Sequence, residues 1–202
     1  KKSQTKQTST VRMARTAKGT SARTAAAPAA VARRKKTSQT ASGVKIIPLG
    51  GLEQIGMNIT AYEYDDSIIV VDCGLAFPAE DMLGIDLVIP DVSYLAENID
   101  RVKGFVITHA HEDHIGALPY ILPQVNVPIY ATKLTMGIIE NKLKEHNLVK
   151  TTKRKVIKHG QTINLGCFKV EFIRTNHSIA DSAAFAIYTP VGTIIHTGDF
   201  KV

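Results

Sequence analysis

From Val44 onward the chain runs as short apolar stretches separated by polar, Gly- and Pro-rich breaks. Residues 45–49 read as a strand, and Gly50-Gly51 open a corner that continues to Asn58. Ile59–Tyr64 and Ser67–Val71 flank Asp65-Asp66, the pattern of a hairpin. Residues 74–90, broken by Gly and Pro, predict a long loop, and 91–97 a short helix. The apolar run 102–108 has the composition of a buried strand. Residues 115–122 read as a helix packed on the sheet, Ile129–Ala131 as a brief strand. Thr132 then caps a helix whose core face is Leu134, Ile138, Ile139 and Leu143. Residues 168–173 alternate with period two, and 183–188 and 193–196 form the last strands around the turn Pro190-Val191-Gly192. Mixed strands and helices of these lengths place the chain in the α/β class.

Charge divides the chain in two. Residues 1–43 hold eleven Lys or Arg and no Asp or Glu, which leaves fourteen basic against eighteen acidic residues in 44–202. The tail therefore carries +11 and the remainder −4, which together give the net +7. With no aromatic residue and almost nothing to bury, 1–43 is expected to be disordered and 44–202 to be the folded domain. A basic arm that binds phosphate backbones is the favoured use of the tail. An acid-free Ala/Ser/Arg leader, as in organelle transit peptides, is the alternative, and a solvated tail without a partner the third reading. No apolar run approaches the roughly eighteen residues of a membrane-spanning helix, so no membrane association is expected. Cys73 and Cys167 are isolated, which argues against a disulfide framework and for a reducing compartment. Cys73 reads as a small core residue beside Asp72.

The chemistry concentrates in His109-Ala110-His111-Glu112-Asp113-His114, directly after the 102–108 strand. Alternate residues leaving a strand let His109 and His111 aim at one point, and the following turn brings Asp113 and His114 to a second point nearby. Imidazole with carboxylate suits zinc, with manganese the alternative where oxygen ligands contribute. His177 reaches the loop after the 168–173 strand, and Asp199 follows the last strand, where Gly198 permits close backbone approach. His196 points away from Asp199 by strand parity and reads as core or as a support behind the ligands. His146 reads as a surface residue, and His159 receives no role. Glu80, Asp81, Asp86 and Asp91 come without a His and read as solvated loop charges. Lys150, Lys153, Arg154, Lys155 and Lys158 are the basic cluster of the folded part; Lys153, Arg154 and Lys155 are candidate contacts to a nucleic-acid backbone, with a solvated face the simpler reading. Spacing by itself specifies a dinuclear metallohydrolase, a class that includes thioester, lactam and sulfate-ester hydrolases.

The HAHEDH run resembles the signature of the metallo-β-lactamase superfamily. Residues 47–56 (IPLGGLEQIG), Val70-Val71-Asp72-Cys73-Gly74, Leu83-Gly84-Ile85-Asp86 with Ile89-Pro90-Asp91, Thr175-Asn176-His177-Ser178-Ile179 and His196-Thr197-Gly198-Asp199-Phe200-Lys201 narrow the resemblance to the ribonuclease J family, from about Val44 to the end. The resemblance implies the N-terminal half of an αββα sandwich. One zinc would take His109, His111 and His177, with Asp199 bridging to a second on Asp113 and His114. The shared water, at a metal spacing of about 3.5–4 Å, would attack phosphorus, steered by Asp113. Asp113 and His114 are thus the catalytic pair. Asp72 would orient a ligand His, a role compatible with capping the turn before Gly74. The N–H groups opening the 115–122 helix are candidate donors to anionic oxygen near the metals.

The family's members cut RNA as 5′-to-3′ exonucleases and endonucleases in RNA maturation and decay, preferring 5′-monophosphate ends. This implies RNA as partner and homo-oligomers or pairing with a paralogous subunit. It also implies contact with an RNA-decay complex or ribosome, and a bacterial cytoplasmic location, or a plastid one if the tail is a leader. A non-catalytic RNA- or partner-binding subunit and a small-molecule hydrolase of the same fold are the competing functions. The chain stops three residues after Asp199, before the family's β-CASP and C-terminal regions. Alone it is expected to be weakly active or inactive, with an apolar sheet face left uncovered.

Overall fold

A computed structural model describes residues 43–202, and the readings made for the basic tail lie outside them. The strands β1 (Lys45–Gly50), β2 (Ile59–Tyr64), β3 (Ser67–Val71), β4 (Val102–Val106), β5 (Ile129–Ala131) and β6 (Arg154–Val156) form one sheet in chain order. Its first three strands are antiparallel, and β3 to β6 run parallel. A second, antiparallel sheet has the order β10 (Gly192–His196), β9 (Ala183–Thr189), β8 (Phe168–Arg174), β7 (Thr162–Leu165). Helices α1 (Ser93–Glu97), α2 (Glu112–Ile115), α3 (Leu118–Ile121) and α4 (Lys133–Glu145) complete the described elements, with a 3-10 turn at Ile99–Arg101.

Two cores explain the run of apolar residues in β3. Ile68 and Val70 join Phe105, Ile107, Leu118, Ile121, Ile139 and Leu143 between the first sheet and its helices. Ile69 and Val71 join Val106, Phe168, Phe172 and Phe185 between the two sheets. A strand buried on both faces needs apolar side chains at every position, so its sequence is continuous rather than alternating. The layers are therefore helices, sheet, sheet. The second sheet covers the first, and what stays open is the second sheet's far face. There the apolar content is diluted: Ile173, Tyr188 and Ile195 are exposed beside the Tyr188–Glu171 hydrogen bond and Lys169 over the Tyr188 ring.

The hairpin, β4, β5 and the closing strands match the sequence reading, and five details differ. The predicted 115–122 helix begins three residues earlier and is split into α2 and α3. The carbonyls of Asp113 and His114, which a continuous helix would use, accept instead from Asn58 N and Cys73 N. Its expected free donors are also engaged, because Ile115, Gly116 and Ala117 donate to the carbonyls of His111, Glu112 and Cys73. On α4 the buried residues are Thr135, Met136, Ile139 and Leu143, while Leu134 is exposed. Thr132 stands at the N-cap without capping through its side chain; its hydroxyl reaches Thr135 and the Asp181 carbonyl. Strands β6 and β7 were not apparent in the sequence, since β6 is an edge strand whose Lys155 and Val156 face solvent. No helix among the described residues is long and apolar enough to cross a membrane.

At the far end of β2 the buried carboxylate of Glu63 meets Lys45 Nζ and Arg101 Nη2, each at 2.9 Å, and accepts from the Tyr94 hydroxyl. Burial works against its charge, but the bonds from Arg101, Tyr94 and Lys45 outweigh it and bring the pKa down to about 2. A depressed carboxyl pKa contributes stability that is whole above the ordinary value of 4.5 and lost as pH falls toward 2. Glu63→Gln should therefore lower the unfolding free energy at pH 7 by about 2 kcal/mol. In urea titrations the gap to the wild type should close between pH 4.5 and 2; a gap independent of pH would contradict this account.

Candidate metal centre

The site forms where strands of both sheets end. β3 delivers Asp72 in a left-handed conformation, φ 61°. β4 continues through Ile107 to Thr108 and His109, and His111 adopts the extended geometry that starts α2. The loop after β8 carries His177, and the loop after β10 carries Asp199. Gly198, at φ 56°, lets that last loop pass close to Thr108, where an added Cβ would stand 3.0 Å from Thr108 Cγ2. Backbone bonds clamp α2 from below. The carbonyls of Glu112, Asp113 and His114 accept from Leu75, Asn58 and Cys73 at 3.2, 2.9 and 2.8 Å.

Ring nitrogens converge at the centre. His109 Nε2 lies 3.0 Å from His111 Nδ1, which lies 3.2 Å from His177 Nε2. Asp199 Oδ2 stands 3.7 Å from His177 Nε2 and 3.6 Å from His114 Nε2. Two sets of donor atoms lie within 4.8 Å of one another: His109, His111 and His177, and His109, His114 and Asp199. Asp113 belongs to neither set. Its Oδ2 is 3.5 Å from His114 Nε2 and accepts from Asn58 Nδ2 at 3.1 Å.

The supporting contacts decide which nitrogens are free. Asp72 Oδ2 is 2.8 Å from His114 Nδ1, and Asp72 Oδ1 accepts from Thr108 N at 2.8 Å. Thr108 Oγ1 also bridges Asp72 and His109 Nδ1. With Nδ1 of His114 engaged, its Nε2 faces Asp113 and Asp199 and lies 3.2 Å from Asn58 Nδ2. Burial alone would raise the Asp72 carboxyl, but the His114 ring and its hydrogen bond hold it below its ordinary value. Burial works against protonated His114, yet Asp72, with Asp113 and Asp199, raises its pKa. Burial and the neighbouring His114 push His109 down to about 4, and burial lowers His177 too. Neutral imidazoles with lone pairs aimed at one point, beside a carboxylate, are the donor set a borderline divalent cation takes. His177 Nδ1 is buried and makes no hydrogen bond. The residues fit a metal centre.

Every residue named as a ligand from the sequence thus lies in or against this cluster, with Asp113 at its margin. Asn58, Thr108 and Gly74 were missed, since neither an amide, a hydroxyl nor a glycine signals its partner in sequence. His196 turns inward and shares a 2.7 Å hydrogen bond with Tyr62. Cys73 is fully buried, and burial pushes its thiol up. Glu80, Asp81 and Asp86 are exposed, while Asp91 accepts from Ser93 N at 2.8 Å at the start of α1. His146 is exposed and packs edge-on against Tyr120. Of the basic cluster, Arg154 is engaged by Glu140 and the Val149 carbonyl, and Lys155 lies over the Tyr130 ring; Lys153 is exposed.

Comparisons with known proteins agree with this geometry. The metallo-beta-lactamase superfamily signature matches residues 55–201. The chain is 48% identical over 169 residues to a ribonuclease J of Synechocystis, covering 83% of this chain and 26% of that protein. It is 49% identical over 162 residues to a ribonuclease J of Helicobacter pylori, covering 80% and 24%. It thus spans about a quarter of the length of these curated relatives. Among solved structures, a metallo-beta-lactamase fold protein of Bacillus subtilis superposes with a TM-score of 0.54 at 17% identity, covering 77% of this chain and 62% of that one. Helices over two stacked sheets, histidines gathered at the strand ends and a sequence match through most of the described residues lead to one assignment: this chain belongs to the metallo-beta-lactamase superfamily.

Proposed function

We propose that this chain carries the metal-binding half of a ribonuclease that hydrolyses RNA phosphodiesters, from 5′ ends and internally. The observation that carries the reading is Asp199 Oδ2 standing 3.6 and 3.7 Å from His114 Nε2 and His177 Nε2, in a chain 48% identical to a ribonuclease J. His109, His111 and His177 would hold one ion, and His114 and Asp199 a second, with Asp113 beside it. Bound there, zinc or manganese supplies an activated water and neutralises charge that develops on the phosphate oxygens.

The chain's own residues prepare that chemistry. Asp72 accepts the Nδ1 proton of His114 and so leaves its Nε2 lone pair facing the site. Burial keeps His109 neutral at physiological pH. Asn58 Nδ2 orients the partly exposed Asp113 carboxylate, whose Oδ2 is placed to accept a proton from the attacking water. Lys153 and Lys155 are the exposed cations of the 153–155 trio, Lys155 lying over the Tyr130 ring, and Lys153 is a contact for the RNA backbone.

The test uses the full-length protein, since this chain alone is expected to be weakly active or inactive, with an RNA carrying a 5′ monophosphate and the same RNA with a 5′ triphosphate, with and without a chelator, alongside Asp113→Ala and His114→Ala. Chelator-sensitive digestion that favours the monophosphate and disappears in both variants is the expected result. A protein that binds metal and RNA but never cuts points to a non-catalytic subunit. One that ignores RNA points to a small-molecule hydrolase.

A further inference from the structure

His177 comes from the eight-residue loop between β8 and β9, and that loop is fastened at one residue more than at any other. Asp181 accepts at Oδ2 from Leu134 N, 2.9 Å away, in the first turn of α4. Its carbonyl accepts from Thr132 Oγ1 at 2.8 Å, at the junction of β5 and α4. Its Oδ1 lies 3.7 Å from His159 Nδ1, and His159 Nε2 donates to the next carbonyl, that of Ser182, at 3.0 Å. Ser182 closes the loop on itself through Oγ to the Ile179 carbonyl and through its own carbonyl to Thr175 N. Ala183 N then bonds the carbonyl of Thr108, the residue before His109.

The backbone of Asp181 has φ 68°, a left-handed conformation that costs a residue with a side chain about 1 kcal/mol. That conformation is held by interactions made outside the loop. Asp181 also supplies the helix cap that Thr132, at the N-cap position, does not. One carboxylate thus joins the start of α4, the His159 loop and the His177 loop.

We infer that Asp181 is a positioning residue for His177: by capping α4 it fixes the 175–182 loop, and so the ring of His177, against His109 and His111. The inference rests on the metal-centre reading, and a metal ligand on a loop needs such a tether because a fraction of an ångström decides ligation.

The test compares wild type with Asp181→Gly and Asp181→Asn in the full chain. Glycine keeps the left-handed backbone without strain and removes the whole side chain, which also frees the backbone, whereas asparagine tolerates the same φ and retains an oxygen for Leu134 N. Two readouts are taken: amide hydrogen exchange by residue in metal-free protein, and Co2+ affinity followed by its visible absorption. Asp181→Gly should speed exchange in 175–182 and at Leu134 by roughly tenfold while β4 and β9 stay protected. It should weaken Co2+ binding by about tenfold, and Asp181→Asn should restore both. Unchanged exchange and affinity in Asp181→Gly would overturn the inference. So would loss spread evenly over the sheets, or an asparagine variant as impaired as the glycine one. Wild type that takes up no Co2+ would instead overturn the metal-centre reading, with the exchange comparison still deciding whether Asp181 fastens the loop.

Discussion

Gly74→Ala is expected to destabilise the fold by more than about 3 kcal/mol and to abolish metal binding. A Cβ at this position would stand 1.6 Å from the Asp113 carbonyl oxygen, 2.2 Å from its carbon and 2.9 Å from Asn58 N. All three are backbone atoms, so no side chain can rotate away. Relief requires separating the 73–75 segment from α2, and the bonds from Cys73, Leu75 and Asn58 to the carbonyls of His114, Glu112 and Asp113 cross that seam. Each lost bond in this buried place costs about 1 kcal/mol or more. Because α2 carries Asp113 and His114, the same displacement moves the ligands. Gly137→Ala is the control: nothing lies within 4 Å of its Cβ, in the middle of α4, and it should stabilise by about 0.5–1 kcal/mol. Urea unfolding and Co2+ titration of the two variants read both effects, and a Gly74→Ala protein that melts and binds like wild type would refute the argument.

Asp72→Ala should cost about 3–5 kcal/mol, since Thr108 N and His114 Nδ1 lose their acceptor in a site closed to water. The left-handed backbone, φ 61°, is strained for aspartate and alanine alike, so the lost acceptor accounts for most of this cost. Metal affinity should fall 10- to 100-fold, roughly the effect of removing a carboxylate behind a ligand imidazole. Asp72→Asn separates the two consequences. Its amide oxygen must face Thr108 N, because the opposite orientation would set donor against donor. The amide NH2 then faces His114 Nδ1, which becomes an acceptor, and the ring proton moves to Nε2, the nitrogen directed at Asp113 and Asp199. Stability should stay nearer the wild type, whereas Co2+ affinity should fall as far as in the alanine variant. Equal Co2+ binding by Asp72→Asn and wild type would show that the charge of Asp72 does not set the tautomer.

What the sequence determined by itself is local. Two apolar segments across Asp65-Asp66 specify a hairpin, and the run into Thr108 specifies a buried strand, because burial on one or both faces is written in a strand's own alternation. His109, His111 and His114 declare a site by their density, and His177 and Asp199 could be placed at strand ends by the same periodicity. Tertiary structure decided the rest. Whether 115–122 is one helix depended on Asn58 and Cys73 taking the carbonyls of Asp113 and His114. The true cap of α4 lies at Asp181, forty-seven residues beyond Leu134 in the chain. Asp113 stands beside the donor sets with its carboxylate bonded to Asn58 Nδ2, and Arg154 is engaged by Glu140 and the Val149 carbonyl. The physical reason is common to all four. A hydrophobic period is a property of neighbours along the chain, whereas a polar group takes whichever partner folding brings within about 3 Å, and that partner leaves no periodic trace.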